Sequence, residues 1–237
     1  MGAQLRSRVI VLGFSALLIL VTVAVLSTFT TREIGESVQW QSHTHEVIAR
    51  AKDVAFAVTT YVEEVRMAVK ADSGIDNIDD LKGKTVATTT GTTSVQTLRK
   101  HKRAEGVDFK EVFGKDHSDS FLLLESGRAD AFVMDGSILA ANISKSKDPS
   151  NFKIVGDVLN VEPIACMLRK DDPAFKKAVD DSIKGMIKSG ELAKLYDTWF
   201  MQPIPPNNTK IGLPMSAATK DAWANPNDKP MEDYAQK

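Results

Sequence analysis

The chain has 237 residues, which is enough for one sizeable domain or two small ones. Its 30 Lys and Arg residues nearly balance its 31 Asp and Glu residues, so the overall charge excludes a strongly basic nucleic-acid-binding protein. Cys166 is the one cysteine in the sequence, which excludes an intramolecular disulfide.

The first predicted element is an apolar segment between Val9 and Phe29, which carries no charged residue over 21 positions. As a helix rising 1.5 Å per residue it would span about 30 Å, the thickness of a bilayer core. Arg6 and Arg8 precede it, so the positive-inside rule places residues 1–8 in the cytoplasm. The segment is longer than the core of a cleavable signal peptide and no Ala-x-Ala site follows. We therefore expect an uncleaved signal anchor; the alternatives are a cleaved signal and a buried core helix.

The next predicted element, residues 30–53, is polar and compatible with a helical stalk that continues the span outward. His43 and His45 are two residues apart and would point in different directions on a helix, so we expect solvated histidines rather than a metal site. The stretch TREIGESVQWQSHTHEVIARAKDV resembles the opening of CHASE-type extracellular sensor domains of bacterial signalling proteins.

From residue 54 onward, predicted strands alternate with helices of about ten residues. The predicted strands are KTVATTT, VDFKEVFG, ADAFVMD, FKIVGDVL and EPIACMLRKDD. The predicted helices are TTSVQTLRKHK, DSFLLLESGR, GSILAANISKSK and a pair within residues 173–200 that Gly190 separates. Residues 202–237 are rich in Pro, Asn and Asp, which predicts a loosely held tail with one short helix near residues 216–222. The alternation predicts an α/β fold with a mostly parallel sheet.

Candidate site residues follow the ends of three predicted strands, where ligands bind in such sheets. Gly91, Thr92 and Thr93 lie at a helix start, where hydroxyls and free backbone N–H groups favour an anion. His117 and Asp135 follow the next two strands. Each position also has a simpler interpretation: the threonines as an ordinary helix cap, His117 as part of a solvated turn, and Asp135 as the cap of the following helix.

Motifs of the common enzyme classes do not occur in the sequence: it has no Walker glycine loop, HExxH, CxxC or G-x-S-x-G. The basic run RKHKR, residues 99–103, is typical of a solvated helix end rather than of a nucleic-acid site. We expect a binding protein without catalytic activity, metal or cofactor.

Four segments in order resemble a known family: DLKGKTVATTTGTTS, DHSDSFLLLESGRADAFVMD, CMLRKDDPAFKKAVDDSI and LYDTWFMQPIPP. They are similar to the periplasmic substrate-binding proteins of polar amino-acid ABC importers (family 3 solute-binding proteins), most of all to the glutamate/aspartate branch. The resemblance runs from about Val54 to Lys229. It implies a type II periplasmic-binding-protein fold, in which two α/β lobes, joined by two crossing strands, close on an amino acid.

The resemblance also implies a domain layout. Residues 54–65 would be a part of the first lobe with the first crossing strand, residues 66–165 the complete second lobe, and residues 166–237 the second crossing and the C-terminal part of the first lobe. The crossing strands would lie near residues 61–69 and 164–168. The N-terminal part of the first lobe, which in the family clamps the ligand's carboxylates with arginines, would be replaced by the membrane span and stalk. Cys166 would then be a free thiol, which we expect to be buried as a small apolar residue.

The resemblance implies a role for each candidate residue. Thr93, after Gly91 and Thr92, would meet a ligand carboxylate; His117 would contact the acidic side chain of the ligand; Asp135 would accept the ligand's α-ammonium group.

These expectations combine into one leading hypothesis. The chain would be an extracytoplasmic solute-binding component, anchored in the bacterial inner membrane and facing the periplasm, that binds L-glutamate or L-aspartate and presents it to an ABC permease. The alternatives are a ligand-sensing input module of a signalling receptor and a truncated or fused remnant without function. A remnant would expose the apolar undersides of the helices PAFKKAVDDSIKGMI and ELAKLYDTWF.

Overall fold

A computed structural model describes residues 54–234. The predicted membrane segment, the stalk and its two histidines lie outside these residues, and so does the CHASE-like stretch except for its last residue. None of the helices between residues 54 and 234 has the length and apolar character that crossing a bilayer requires.

A five-stranded sheet forms the centre of the described part, with the strand order β4-β3-β5-β2-β6. Its strands are β2 (Tyr61–Lys70), β3 (Thr85–Thr89), β4 (Lys110–Gly114), β5 (Ala131–Asp135) and β6 (Phe152–Ile164). β3 runs parallel to β4 and β5, whereas β2 runs antiparallel to both β5 and β6. Four of the five strands therefore point the same way, as the prediction of a mostly parallel sheet requires, and β2 is the exception. The alternation of strands and helices indicates direction only for strands joined by a helical crossover, and β2 enters between β5 and β6 without one.

The predicted helices are present. They are α1 (Thr93–Glu105), α2 (His117–Glu125), α3 (Gly136–Lys145), α4 (Pro173–Ser189), α5 (Glu191–Tyr196) and α6 (Ala217–Ala224). Shorter helical turns cover Ile78–Leu81, Pro149–Asn151, Asp197–Met201 and Met231–Tyr234. α4 ends at Gly190, which adopts φ +79° and separates it from α5 as predicted.

Both faces of the sheet are buried. Successive residues of a strand point to opposite faces, so each strand contributes side chains to both. On one face Met67 and Val133 pack with Leu98 of α1. On the other face Phe132 packs with Phe121 of α2 and with Leu139 of α3. Helices therefore cover the sheet on both sides, as the α/β pattern predicts.

A second, smaller sheet pairs β1 (Val54–Phe56) with β7 (Met167–Arg169). Val58 and Ile183 of α4 are buried against each other beside it, and Leu168 is partly buried there. The predicted strand EPIACMLRKDD is divided, because β6 ends at Ile164 and β7 begins at Met167. Cys166 lies in this gap and is exposed, so the prediction of a buried thiol is wrong. The chain changes sheets at this point, and no apolar layer covers the residue.

The segment after α5 is packed against β2, in contrast to the loosely held tail that we predicted. Thr219 of α6 is fully buried, and its hydroxyl accepts from Val62 N (3.1 Å) and donates to Val62 O (3.2 Å). Trp223 Nε1 donates to Thr60 O at 2.8 Å, and Tyr234 OH lies 3.1 Å from Thr59 Oγ1. Pro, Asn and Asp predict turns correctly, but they do not exclude tertiary hydrogen bonds from the segment that contains them.

Candidate functional site

The candidate residues lie together at one edge of the five-stranded sheet, the edge formed by the carboxyl ends of its parallel strands. The parallel pairing of β3 with β4 and β5 places the ends of these strands, Thr89, Gly114 and Asp135, on that edge. β2 runs the other way, and its register sets Val65 opposite Asp135 and Glu63 opposite Glu162 of β6. The edge therefore also carries two carboxylates that the sequence analysis missed.

The turn from β3 into α1 leaves the start of that helix without a side-chain cap. Gly91 adopts φ +78°, a left-handed conformation that favours glycine. Thr92 occupies the N-cap position, but its hydroxyl donates backward to Thr89 O at 2.8 Å and caps no N–H group of the helix. Thr93, the first helical residue, is exposed. This arrangement contradicts the simpler interpretation of the threonines as an ordinary cap. It leaves helix-start donors available to an anion.

His117, the first residue of α2, is held by the neighbouring strand. Its Nδ1 lies 3.0 Å from the hydroxyl of Thr89, and its side chain is partly buried. The Thr89 hydroxyl lies 2.9 Å from Ser120 Oγ, which also approaches the carbonyl oxygens of Thr88 (3.2 Å) and Asp116 (2.9 Å). This buried network orients the ring through one nitrogen, so the interpretation as a freely solvated turn does not fit.

Asp135 ends β5 and occupies the N-cap position of α3, yet its side chain makes no capping hydrogen bond. Its Oδ1 atom is buried and has no hydrogen-bond partner among the described residues. Burial raises the pKa of Asp135 to about 7, and the nearby carboxylates of Glu63 and Glu162 add to this effect. Asp135 therefore has the N-cap position that the simpler interpretation predicts, but its side chain does not cap the helix.

Glu63 of β2 makes the hydrogen bonds that Asp135 does not make. It is only 6% exposed, and its Oε1 accepts from Ser137 N at 3.2 Å and from Glu64 N at 3.0 Å. Ser137 Oγ donates to the other carboxylate oxygen, Oε2. The sequence signal for this site is the pair of adjacent carboxylates in the predominantly apolar first half of the strand YVEEVRMAVK.

Aromatic rings adjoin the carboxylates at this edge. Tyr61 OH lies 3.5 Å from Glu63 Oε1, and the Tyr61 ring stacks on Phe200 at 5.8 Å between ring centroids. Tyr196 stacks on Phe200 at 4.6 Å. Burial and then the charge of Glu63 raise the pKa of Tyr61 well above its usual range, and the same two causes raise the pKa of Tyr196 to about 12. Both phenols therefore stay neutral at physiological pH.

Within residues 54–234, no group of three or more His, Cys, Asp or Glu side chains is arranged to hold a metal ion.

Comparison with known proteins places this arrangement in a family. The family model described as "ABC transporter, phosphonate, periplasmic substrate-binding protein" matches residues 38–209. The chain is 43% identical over 182 residues to the glutamate/aspartate import solute-binding protein of Escherichia coli K12, a match that covers 77% of this chain and 60% of the relative. It is 42% identical over 183 residues to the L-glutamate/L-aspartate-binding protein of Pseudomonas aeruginosa PAO1, covering 77% and 61%.

A solved structure has the same fold. The GluR0 ligand-binding core from Nostoc punctiforme, in complex with L-glutamate, aligns with a TM-score of 0.51 and 28% identity, over 64% of this chain and 67% of that one. The chain spans about 60% of the length of the curated relatives that it matches. By the family match and these similarities, the chain belongs to the periplasmic substrate-binding proteins of ABC transporters.

Proposed function

We propose that this protein is the solute-binding component of an amino-acid ABC importer and that its ligand is L-glutamate or L-aspartate. The observation that carries the proposal is Asp135, a carboxylate at the sheet edge with one buried oxygen atom that lacks a hydrogen-bond partner among the described residues. Such an acceptor suits the α-ammonium group of an amino acid, because charge-assisted hydrogen bonds are about twice as strong as neutral ones.

Donors on the same edge suit the carboxylates of the ligand. The uncapped start of α1, with Gly91, Thr92 and Thr93, offers N–H groups and hydroxyls to one carboxylate. His117, which Thr89 orients, would contact the acidic side chain of the ligand. Positive and negative partners on a single edge favour a zwitterion that carries an additional carboxylate.

The charge of the edge argues against a phosphonate, although the description of the matching family model names one. Glu63, Asp135 and Glu162 are close enough for the two glutamates to raise the pKa of Asp135. A phosphonate without an ammonium group would meet these carboxylates with like charge, which is unfavourable in a partly buried site. The names of the similar glutamate/aspartate-binding proteins support the same choice of ligand.

The proposed layout follows the family. Residues 66–165 would form the second lobe, residues 54–65 and 166–237 parts of the first lobe, and β2 and β6 would contain the crossings. The apolar segment between Val9 and Phe29 would anchor the protein in the inner membrane, with the lobes facing the periplasm and the ABC permease. Ligand contacts from both lobes would shift the population toward a closed form.

Calorimetric titration of L-glutamate and L-aspartate into residues 30–237 tests the proposal. We expect binding heat at micromolar affinity that Asp135→Ala abolishes and that the matched change Asp157→Ala, at an exposed carboxylate, leaves in place. A folded protein that produces no heat up to millimolar ligand would contradict the proposal.

One observation keeps the remnant hypothesis as a second candidate. Phe175 and Trp199 are each 54% exposed and Leu195 is 41% exposed, as a first lobe without its covering portion would show. The same surface would suit a partner chain that completes the lobe. Absence of binding together with self-association of the isolated chain would favour the remnant.

A further inference from the structure

Asp135 stands where an aspartate normally caps a helix. At the N-cap position, an Asp side chain usually accepts from the N–H group of the second or third helical residue. Here the capping hydrogen bond is missing, and Oδ1 of Asp135 is buried without a partner among residues 54–234. A buried acceptor without a partner costs free energy, so some feature of the fold must prevent the carboxylate from turning onto its own helix.

That feature is Glu63, which reaches the start of α3 from β2, the strand paired with β5. Ser137, the second residue of α3, donates its backbone N–H to Glu63 Oε1 at 3.2 Å and its hydroxyl to Glu63 Oε2. The residues are 74 positions apart in sequence. An ionised carboxylate at this place also complements the positive end of the helix dipole. The N–H group of the second helical residue, one of the two that Asp135 could use, is therefore already occupied.

We propose that Glu63 is a positioning residue: by capping α3 in place of Asp135, it leaves the Asp135 carboxylate free to receive the ammonium group of the ligand. This inference rests on the proposed function, because it describes how the ammonium-binding group is prepared.

The charged groups around Asp135 determine whether its carboxyl group holds a proton. The carboxylates that act on Asp135 are Glu63 from β2 and Glu162 from β6. Arg66, also on β2, donates to Gly156 O at 2.9 Å and lies 3.6 Å from Glu64. Along α3 the one ionisable side chain is Lys145 at the far end, and α2 contributes His117 to the same edge.

With the pKa of Asp135 near 7, a large share of the free protein holds a proton on this carboxyl at neutral pH. An arriving ammonium group favours the ionised form. In each molecule that holds this proton, binding converts the carboxylic acid and the ligand ammonium into a carboxylate–ammonium pair and releases the proton to solvent.

The titration of Asp135 tests the proposal without any ligand. The full chain in mild detergent is labelled with ¹³C at the aspartate carboxyl carbons, and Asp135→Asn identifies the resonance. We expect a midpoint near pH 7 in the wild type. Glu63→Gln keeps an acceptor oxygen but removes the charge, and should lower the midpoint by about one pH unit. Glu63→Ala removes both, and Asp135 should then cap α3 and titrate lower still.

The matched control is Glu64→Gln, because the side chain of Glu64 points to the opposite face of β2 and faces Arg66. Its midpoint should equal that of the wild type. A midpoint that is unchanged in both Glu63 variants, or that Glu63→Ala lowers no further than Glu63→Gln, would overturn the proposal. If Glu63→Ala does not fold, Glu63→Asp takes its place: it keeps the charge but is one methylene shorter and should lose the cap, so an unchanged Asp135 midpoint in that variant would overturn the proposal.

A ligand experiment separates this proposal from the function that it rests on. In calorimetry, Glu63→Ala should weaken L-aspartate binding at least about tenfold, as expected for a lost charge-assisted contact, and Glu64→Gln should leave it unchanged. If the wild type binds neither amino acid but the midpoint shifts as expected, the ligand assignment fails and the positioning role of Glu63 stands. If binding is normal and the midpoint does not move, the positioning role fails.

Discussion

At the scale of single residues, the chemistry of a carboxylate depends on whether the hydrogen-bond donors near it are free or already bonded to another group. Asp135 and Glu63 are both acidic and lie at the same sheet edge, yet one is fully paired and the other has a buried atom without a partner in the described residues. Only the paired group stabilises the helix start. The carboxylate of Asp135 keeps a buried oxygen atom that could accept a hydrogen bond from a ligand. Its raised pKa has a measurable consequence for the stability of the protein.

Asp135→Asn should stabilise the protein at pH 8 and have little effect below about pH 4. Since the folded pKa is about 7 and the ordinary value is 3.8, folding binds a proton between these limits. Stability therefore falls as the pH rises through that window, and the loss is complete above the folded value. The asparagine variant lacks this loss, and we expect it to gain about 1–2 kcal/mol at pH 8 after solvent screening is discounted.

Urea unfolding at both pH values measures this difference. Asp157→Asn, at an exposed carboxylate, serves as the control and should show no pH-dependent gain. An Asp135→Asn variant that is no more stable than the wild type at pH 8 would contradict the assigned shift.

At the scale of elements, close approach and buried hydroxyls hold the site in place. β4 meets α2 at Gly114, where a Cβ atom would overlap the backbone nitrogen and the side-chain oxygen of Ser120. α6 meets β2 through the hydroxyl of Thr219. Neither contact is visible in the local sequence pattern, and each yields a prediction.

Gly114→Ala should destabilise the protein by about 3 kcal/mol, because the backbone atoms of Ser120 cannot move away as a flexible side chain would. The shift should also disturb the hydrogen bond between Thr89 and His117. The control is Gly185→Ala, an exposed glycine of α4 whose added Cβ meets no atom within 4 Å. It should be neutral or stabilise by about 0.5–1 kcal/mol. Equal effects of the two changes in denaturant unfolding would refute this account.

Thr219→Val should cost about 1–3 kcal/mol, since it keeps the shape of the side chain but leaves N and O of Val62 without their hydroxyl partner. Thermal unfolding and limited proteolysis of the C-terminal segment would both detect the loss. Thr198→Val, at an exposed threonine whose hydroxyl donates to Lys194 O, should change stability by less than about 0.5 kcal/mol. Unchanged protease resistance in Thr219→Val would mean that α6 is held by other contacts.

At the scale of the whole molecule, helices cover both faces of the five-stranded sheet, whereas α4, α5 and the helical turn after α5 leave apolar side chains in solvent. Val179 and Ile187 of α4 are partly covered, but Phe175, Leu195 and Trp199 are 41–54% exposed. Exposed apolar surface of this kind favours association.

Replacing Phe175, Leu195 and Trp199 together with glutamine should reduce concentration-dependent association in sedimentation velocity without lowering the free energy of unfolding by more than about 1 kcal/mol. Leu122→Gln is the control, because Leu122 is 53% exposed and lies on α2, which covers the five-stranded sheet. If association persists in the triple variant, another part of the chain must provide the surface that associates.

Much of the architecture could be predicted from the sequence. The helices, the strand ends that carry Gly91, His117 and Asp135, and the break at Gly190 follow from local periodicity and turn residues. These signals act over a few residues, so they indicate where an element begins and ends. The same reasoning did not identify Glu63, because its importance depends on a helix 74 residues away.

The sequence by itself determined the α/β class, the family resemblance and the strand ends near which Gly91, His117 and Asp135 lie, since each depends on short segments read in order. Only the tertiary structure decided that β2 runs antiparallel between β5 and β6, that Cys166 is exposed and that the C-terminal segment packs on β2. It also decided that Glu63 caps α3 and leaves Asp135 uncapped. The physical reason is that hydrogen-bond partners and burial are properties of neighbours in space, and strand order brings together residues that no local pattern connects.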